Sequence, residues 1–208
     1  MSDRKQAFFN KMDRFGDLFV LNLCFVLTCI PVITIGASVT ALFTVTNRMV
    51  RDAEGKVHQA YFEAFRSNFR QSTVIWIIDV LCLGCFWIQL QYYLANANNA
   101  PGLLFGLMGA EFILLAFALP FQFPLAARYE NKTVNIIRNA FLLALLNLGT
   151  WIRLFVLWML PAVIYYLYPR LFWMTFVLWI VILFAVFAYA SSLMLRGFYE
   201  KIETELPR

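Results

Sequence analysis

The sequence predicts an all-α, polytopic helical membrane protein, built as a broken, re-entrant N-terminal hairpin followed by four full transmembrane helices. Three observations carry that prediction. Of 208 residues, 62% are hydrophobic and only 14% charged, with a mean hydropathy of +0.71, whereas soluble domains carry roughly 25% charged residues. Uncharged runs about one bilayer long recur along the chain. Lysines and arginines collect beside those runs, as the positive-inside rule requires of cytoplasmic segments. The net charge of +5 therefore reads as membrane orientation, and no nucleic-acid partner is expected.

The first element, 2–16, places Phe8, Phe9, Met12 and Phe15 at helical spacing with basic residues largely between them. That is the pattern of a helix lying in the interface, its aromatic face in the acyl boundary. Asp3, Asp13 and Asp17 interrupt the lead-in, so it does not read as a cleavable signal.

Residues 18–47 are 30 positions without a charge, interrupted by Pro31 and by Gly36-Ala37-Ser38. Proline removes a backbone donor and clashes one turn back; glycine loosens the next turn. Arg4, Lys5, Lys11 and Arg14 precede the stretch, and Arg48, Arg51, Lys56, Arg66 and Arg70 follow it. With both flanks cytoplasmic, the chain must enter the bilayer and return on the same side. Each arm would reach only ~18–20 Å, short of a ~30 Å hydrocarbon core. Irregular backbone at that depth needs protein around it, so the later helices are expected to pack about the hairpin. Counted as one crossing, the stretch gives five spans and puts the N-terminal basic residues outside; that is the second choice.

Residues 57–70 repeat the interfacial pattern through Tyr61, Phe62, Phe65 and Phe69, with Glu63, Arg66 and Arg70 facing the other way. A span over 72–94 follows, broken only by Asp79, and ANANNAPG over 95–102 reads as an external loop. Span 102–127 returns. Its Gly102, Gly106 and Ala110 form either a stripe for close helix approach or incidental small residues. Residues 139–168 allow two readings. A break at Asn147-Leu148-Gly149-Thr150 leaves 151–168 as the span; otherwise one long tilted helix contains Arg153. A faint echo, with Phe62 and Phe141 each six residues before Asn68 and Asn147, favours the break. Pro169-Arg170 reads as a tight external turn, 171–195 as the last span, and the charged remainder as a cytoplasmic tail. Both termini are thus expected in the cytoplasm.

Three ionisable residues fall at membrane depth: Asp79, Glu111 and Arg153. Each is costly there unless paired or hydrated. With the break, Arg153 can reach Asp79 by snorkelling; in the unbroken helix it lies level with Glu111. Such a pair could fix helix register or line a substrate or proton pathway. A second candidate is the hairpin break itself, Asn22, Pro31, Thr34, Gly36 and Ser38, where freed backbone groups and hydroxyls could meet an ion or polar ligand. Cys24, Cys29, Cys82 and Cys85 all lie in spans, and Cys82-Leu83-Gly84-Cys85 reads as small residues of a helix rather than a redox motif. With His58 the only histidine, no metal or cofactor is expected. The chain has no G-x-S-x-G, H-E-x-x-H or phosphate loop, and no enzymatic activity is expected.

Phe8-Phe9-Asn10 through Asp17, then Asn22, Pro31-Val32-Ile33-Thr34-Ile35-Gly36-Ala37-Ser38 and Ala41-Leu42, closely resemble the YesL family of bacterial integral membrane proteins. Phe62-Glu63-Ala64-Phe65-Arg66-Ser67-Asn68-Phe69-Arg70-Gln71 resembles that family's second characteristic stretch, which marks Phe65 and Asn68 as cytoplasmic motif residues. The resemblance implies a multi-pass protein of the bacterial cell membrane whose molecular function is not established. It also implies an association with carbohydrate ABC transporter components. The expectation is therefore an accessory or regulatory protein of a carbohydrate uptake system, with a small transporter or channel using the broken hairpin as the alternative. Partners expected are the lipid bilayer and the transporter components; a homo-oligomer stays open, as do substrate and partner identity.

Overall fold

The computed structural model describes residues 2–53, 55–96 and 101–205, with side chains from Asp13 onward except at 202, 203 and 205. Its described residues are almost wholly helical. α1 (Ser2–Cys29) runs unbroken through Gly16 and Asp17, so the expected interfacial helix and first hairpin arm are one rod. A single glycine costs a helix only ~0.5–1 kcal/mol, too little to end one this long. Phe8, Phe9 and Met12 lie outside the described side chains; Phe15 and Phe19 do face outward.

The break falls where proline forbids a helix to continue. Pro31 is extended (φ −76°, ψ 112°), Val32–Thr34 makes one 3₁₀ turn, and α2 (Ile35–Met49) begins. α2 ends through a left-handed Asp52 (φ 55°), with the Ala53 N–H returning to the Arg48 carbonyl at 3.0 Å; Asp is among the few side chains that tolerate this conformation. Gly55 (φ 61°) completes the turn.

α3 (Val57–Ala95) is a single helix of 39 residues, some 58 Å long and about twice the hydrocarbon thickness. The expected interfacial segment and following span are therefore continuous, since no breaker stands at Gln71-Ser72. α4 (Gly102–Ala126) carries Pro120 and Pro124 inside it. α5 (Thr133–Leu146) and α6 (Leu148–Leu167) are separated by Asn147 alone (φ −128°, ψ 55°). That decides the ambiguous stretch in favour of the break. α7 (Pro169–Leu178) starts on the proline itself, whose missing N–H costs nothing at a first helical position. The turn is thus Tyr168, one residue earlier than expected. α7 passes through a π-helical segment, Trp179–Leu183, into α8 (Phe184–Glu205).

Among the described residues, five helices are long and apolar enough to cross a membrane, and one of them differs from the rest. In an 18-residue apolar stretch of each, 61% of the residues of Val32–Met49 are buried within the protein, against 11%, 17%, 11% and 28% in the other four. α2 packs on α1, α3, α4 and α8 and is the central element. Small and hydroxylated residues let its neighbours approach. A Cβ on Gly36 would stand 2.3 Å from the Ser72 carbonyl oxygen and 2.6 Å from Trp76 Cβ; only glycine fits. Thr40 donates to Ser72 at 2.8 Å, and Thr46 bonds Ser192 at 2.8 Å. The Gly102/Gly106 stripe has no such role among the described residues, where a Cβ added at either position would meet nothing within 4 Å.

The outer surface is apolar, as a lipid-facing one must be, with Leu103, Leu146, Tyr166 and Met174 among its most exposed residues. At one end of the bundle the charged groups meet. Arg14 bonds Asp52 and donates to the Tyr189 hydroxyl at 2.6 Å. Arg196 donates to the Val50 carbonyl at 3.5 Å. Both ends of the N-terminal hairpin therefore lie beside the same part of α8.

Candidate functional site

The backbone groups freed by the hairpin break are largely taken up close by. Thr34 donates its hydroxyl to the carbonyls of Thr28 (2.5 Å) and Pro31 (2.6 Å), and Ser38 donates to Thr34 O at 3.0 Å. Trp76, on α3, donates its indole N–H to the Val32 carbonyl at 2.9 Å. Thr28 bonds the Tyr61 hydroxyl at 2.5 Å. Tyr61 is fully buried, so the residue expected in the acyl boundary instead clasps the hairpin from the side. Its aromatic neighbours Phe62 and Phe69 do stay exposed.

Asn22 has a different task. Its amide donates to the carbonyls of Trp179 (3.1 Å) and Ile180 (2.7 Å), and its oxygen accepts the Ala185 N–H at 2.9 Å. These are the backbone groups that a π-helical segment displaces from their usual partners. Asn22 is fully buried and uses three of its four hydrogen-bonding positions on this one feature. It locks the first helix to the last transmembrane segment.

The three ionisable residues do not converge. Asp79, buried on α3, accepts from the Gln122 amide of α4, itself fully buried. Glu111 accepts from Gln89 at 3.0 Å, joining the same two helices at another level. Arg153 turns to its own helix, donating to Gly149 O at 3.2 Å and to the Thr150 hydroxyl at 3.0 Å. Among the described residues no ion pair joins the three, which overturns the expected intramembrane pair. Asp79 and Glu111 both face the α3–α4 contact and are separated by their level along it, whereas Arg153 turns back onto its own helix.

Phe65 packs half-buried between Tyr61 (6.4 Å, stacked) and Phe69 (5.5 Å, edge-on). Asn68 donates to the Ala64 carbonyl and the Ser67 hydroxyl, within its own helix. The four cysteines are free, and no group of three metal-ligating side chains occurs among the described residues. Gln122, Gln89, Ser72 and Ser192 were not legible as partners, being ordinary polar residues whose counterparts lie far along the chain. The arrangement can hold helices in register; it gathers no reactive groups around a common point.

A family model described as "Protein of unknown function, DUF624" matches residues 18–90, which takes in the hairpin and most of α3. No curated protein and no solved structure matches the chain.

Proposed function

We propose that this chain is a non-enzymatic, multi-pass protein of the bacterial cell membrane that works by contact. Its partner would be the membrane part of a carbohydrate ABC uptake system. The observation that supports this reading is how the polar groups at membrane depth are used. Asp79 with Gln122, Glu111 with Gln89, and Asn22 with the π-helical segment all spend themselves on holding helices together. What remains outward is broad apolar helix surface, available to lipid or another membrane protein. The carbohydrate assignment rests on the resemblance of the hairpin and the α3 motif to the YesL family, and the matched residues 18–90 cover the same region. Both termini are placed in the cytoplasm on the strength of the basic flanks.

The test is co-purification of the tagged full-length protein with transporter permease subunits from native membrane, together with sugar uptake in a deletion strain. Permease capture with altered uptake is expected. Isolation as a homo-oligomer alone, with uptake unchanged, would reject the proposal.

A further inference from the structure

At the charged end of the bundle, three elements that are distant in sequence surround one polar cavity of about 200 Å³. The turn after α2 contributes Arg51, the turn after α4 Arg128, and α8 Arg196, with Asn47, Ser192 and Glu200 completing its polar lining. Three guanidinium groups thus line the space with one carboxylate, and Glu200 already accepts from Arg196 at 2.9 Å. Arg128 sits 4.3 Å over the ring of the fully buried Tyr199, which holds the guanidinium at a fixed height. The Asn47 amide nitrogen is shielded from solvent and bonds nothing, and the Tyr199 hydroxyl beneath Arg128 is also buried without a partner. Arginine forks and an amide donor at a half-open cavity suit an oxyanion, above all a phosphate, which accepts several charge-assisted bonds at once.

From this we infer that the basic end binds a phosphate-bearing anion between the α2 turn, the α4 turn and α8. Two sources share that chemistry: the headgroup of an anionic phospholipid, as in basic pockets between membrane helices, and free phosphate or a small phosphorylated solute. Occupancy would tie together three elements that are distant in sequence, and so make the packing of α8 on the hairpin responsive to the ligand.

The experiment uses the full-length protein, stripped of lipid in neutral detergent. It is titrated separately with phosphatidylglycerol, phosphatidylcholine and inorganic phosphate, and read by native mass spectrometry and thermal unfolding. Saturable binding of phosphatidylglycerol over phosphatidylcholine, not displaced by phosphate, identifies the lipid headgroup. Saturable binding of inorganic phosphate that displaces the lipid identifies the free anion. Either supports the site. Arg51→Ala and Arg128→Ala should each weaken binding about tenfold, the worth of one charge-assisted contact. Arg170→Ala, at the opposite end of the bundle, should leave binding unchanged. Should an arginine variant not fold, Asn47→Asp adds a carboxylate beside the arginines and should weaken binding likewise. Equal binding of the two lipids with no phosphate binding would overturn the inference, and so would equal losses in Arg51→Ala and Arg170→Ala.

Discussion

Arg14, on the first helix, bonds Asp52, in the turn beyond the second, across 38 positions of sequence. The chain between them travels out to Pro31 and back. Both side chains are partly or largely exposed, at 36% and 79%, so the pair adds little stability, of the order of 0–1 kcal/mol. Its value is geometric: it places the two ends of the uncharged stretch side by side. A cysteine pair, Arg14→Cys with Asp52→Cys in a background lacking the native cysteines, should therefore be bridged within one molecule by a short bis-maleimide, whose span replaces the length of the two side chains. Detection is by mass spectrometry of the linked peptides, and linkage only between molecules would speak against the fold-back.

At Gly36 α2 lies so close to α3 that a Cβ would stand 2.3 Å from the Ser72 carbonyl oxygen, and the position tolerates no side chain. Gly36→Ala should destabilise the protein by about 1–3 kcal/mol, the usual cost of overpacking a rigid core. Gly106→Ala, where nothing lies within 4 Å, should be neutral or stabilising by up to ~1 kcal/mol through helix propensity. Thermal unfolding of the two variants in detergent, followed by tryptophan fluorescence, separates them; similar losses in both would mean that the Gly36 contact is not tight.

The tie between Asn22 and the π-helical segment predicts a penalty out of proportion to size. Asn22→Leu keeps the branched shape but removes two donors and one acceptor, leaving buried backbone groups unpaired, at about 1–3 kcal/mol each where they find no substitute. Asn22→Ser should recover part of the loss. Unfolding measurements that found Asn22→Leu as stable as the wild type would show that the segment needs no clamp.

Asp79 and Gln122 should behave as one unit. Asp79→Leu alone strands the Gln122 amide, and Gln122→Leu alone strands the carboxylate, so the double variant should lose less stability than the sum of the two single losses. A double-mutant cycle measures the coupling, expected at roughly 0.5–3 kcal/mol. Under the contact reading Asp79→Asn should leave sugar uptake intact. Uptake abolished in a folded Asp79→Asn variant would return the residue to a transport pathway.

Much of this architecture was legible in the sequence because membrane helices are written in composition. Pro31 and the charge-free arms around it specified a hairpin, and the Asn147 break was visible as one of two readings. Helix continuity was harder to see. Gly16-Asp17 and Gln71-Ser72 looked like boundaries only because polar sequence gave way to apolar there, and polarity changes do not break hydrogen bonds. The pairings were least legible. Asn22 serves carbonyls 157 and 158 residues away, and nothing in Trp179-Ile180-Val181-Ile182-Leu183 signals a π-helical segment. Arg153 shows the same limit: its level depended on whether the helix broke near Gly149, and the side of the helix on which it lies could not be read.

The most direct test of the central claim is cysteine accessibility in intact cells, with single cysteines at Arg14, Asp52 and Arg170 in a cysteine-free background. The account predicts that Arg14→Cys and Asp52→Cys react with a membrane-impermeant maleimide only after permeabilisation, while Arg170→Cys reacts without it. Labelling of Arg14→Cys and Asp52→Cys from opposite sides would contradict the returning hairpin.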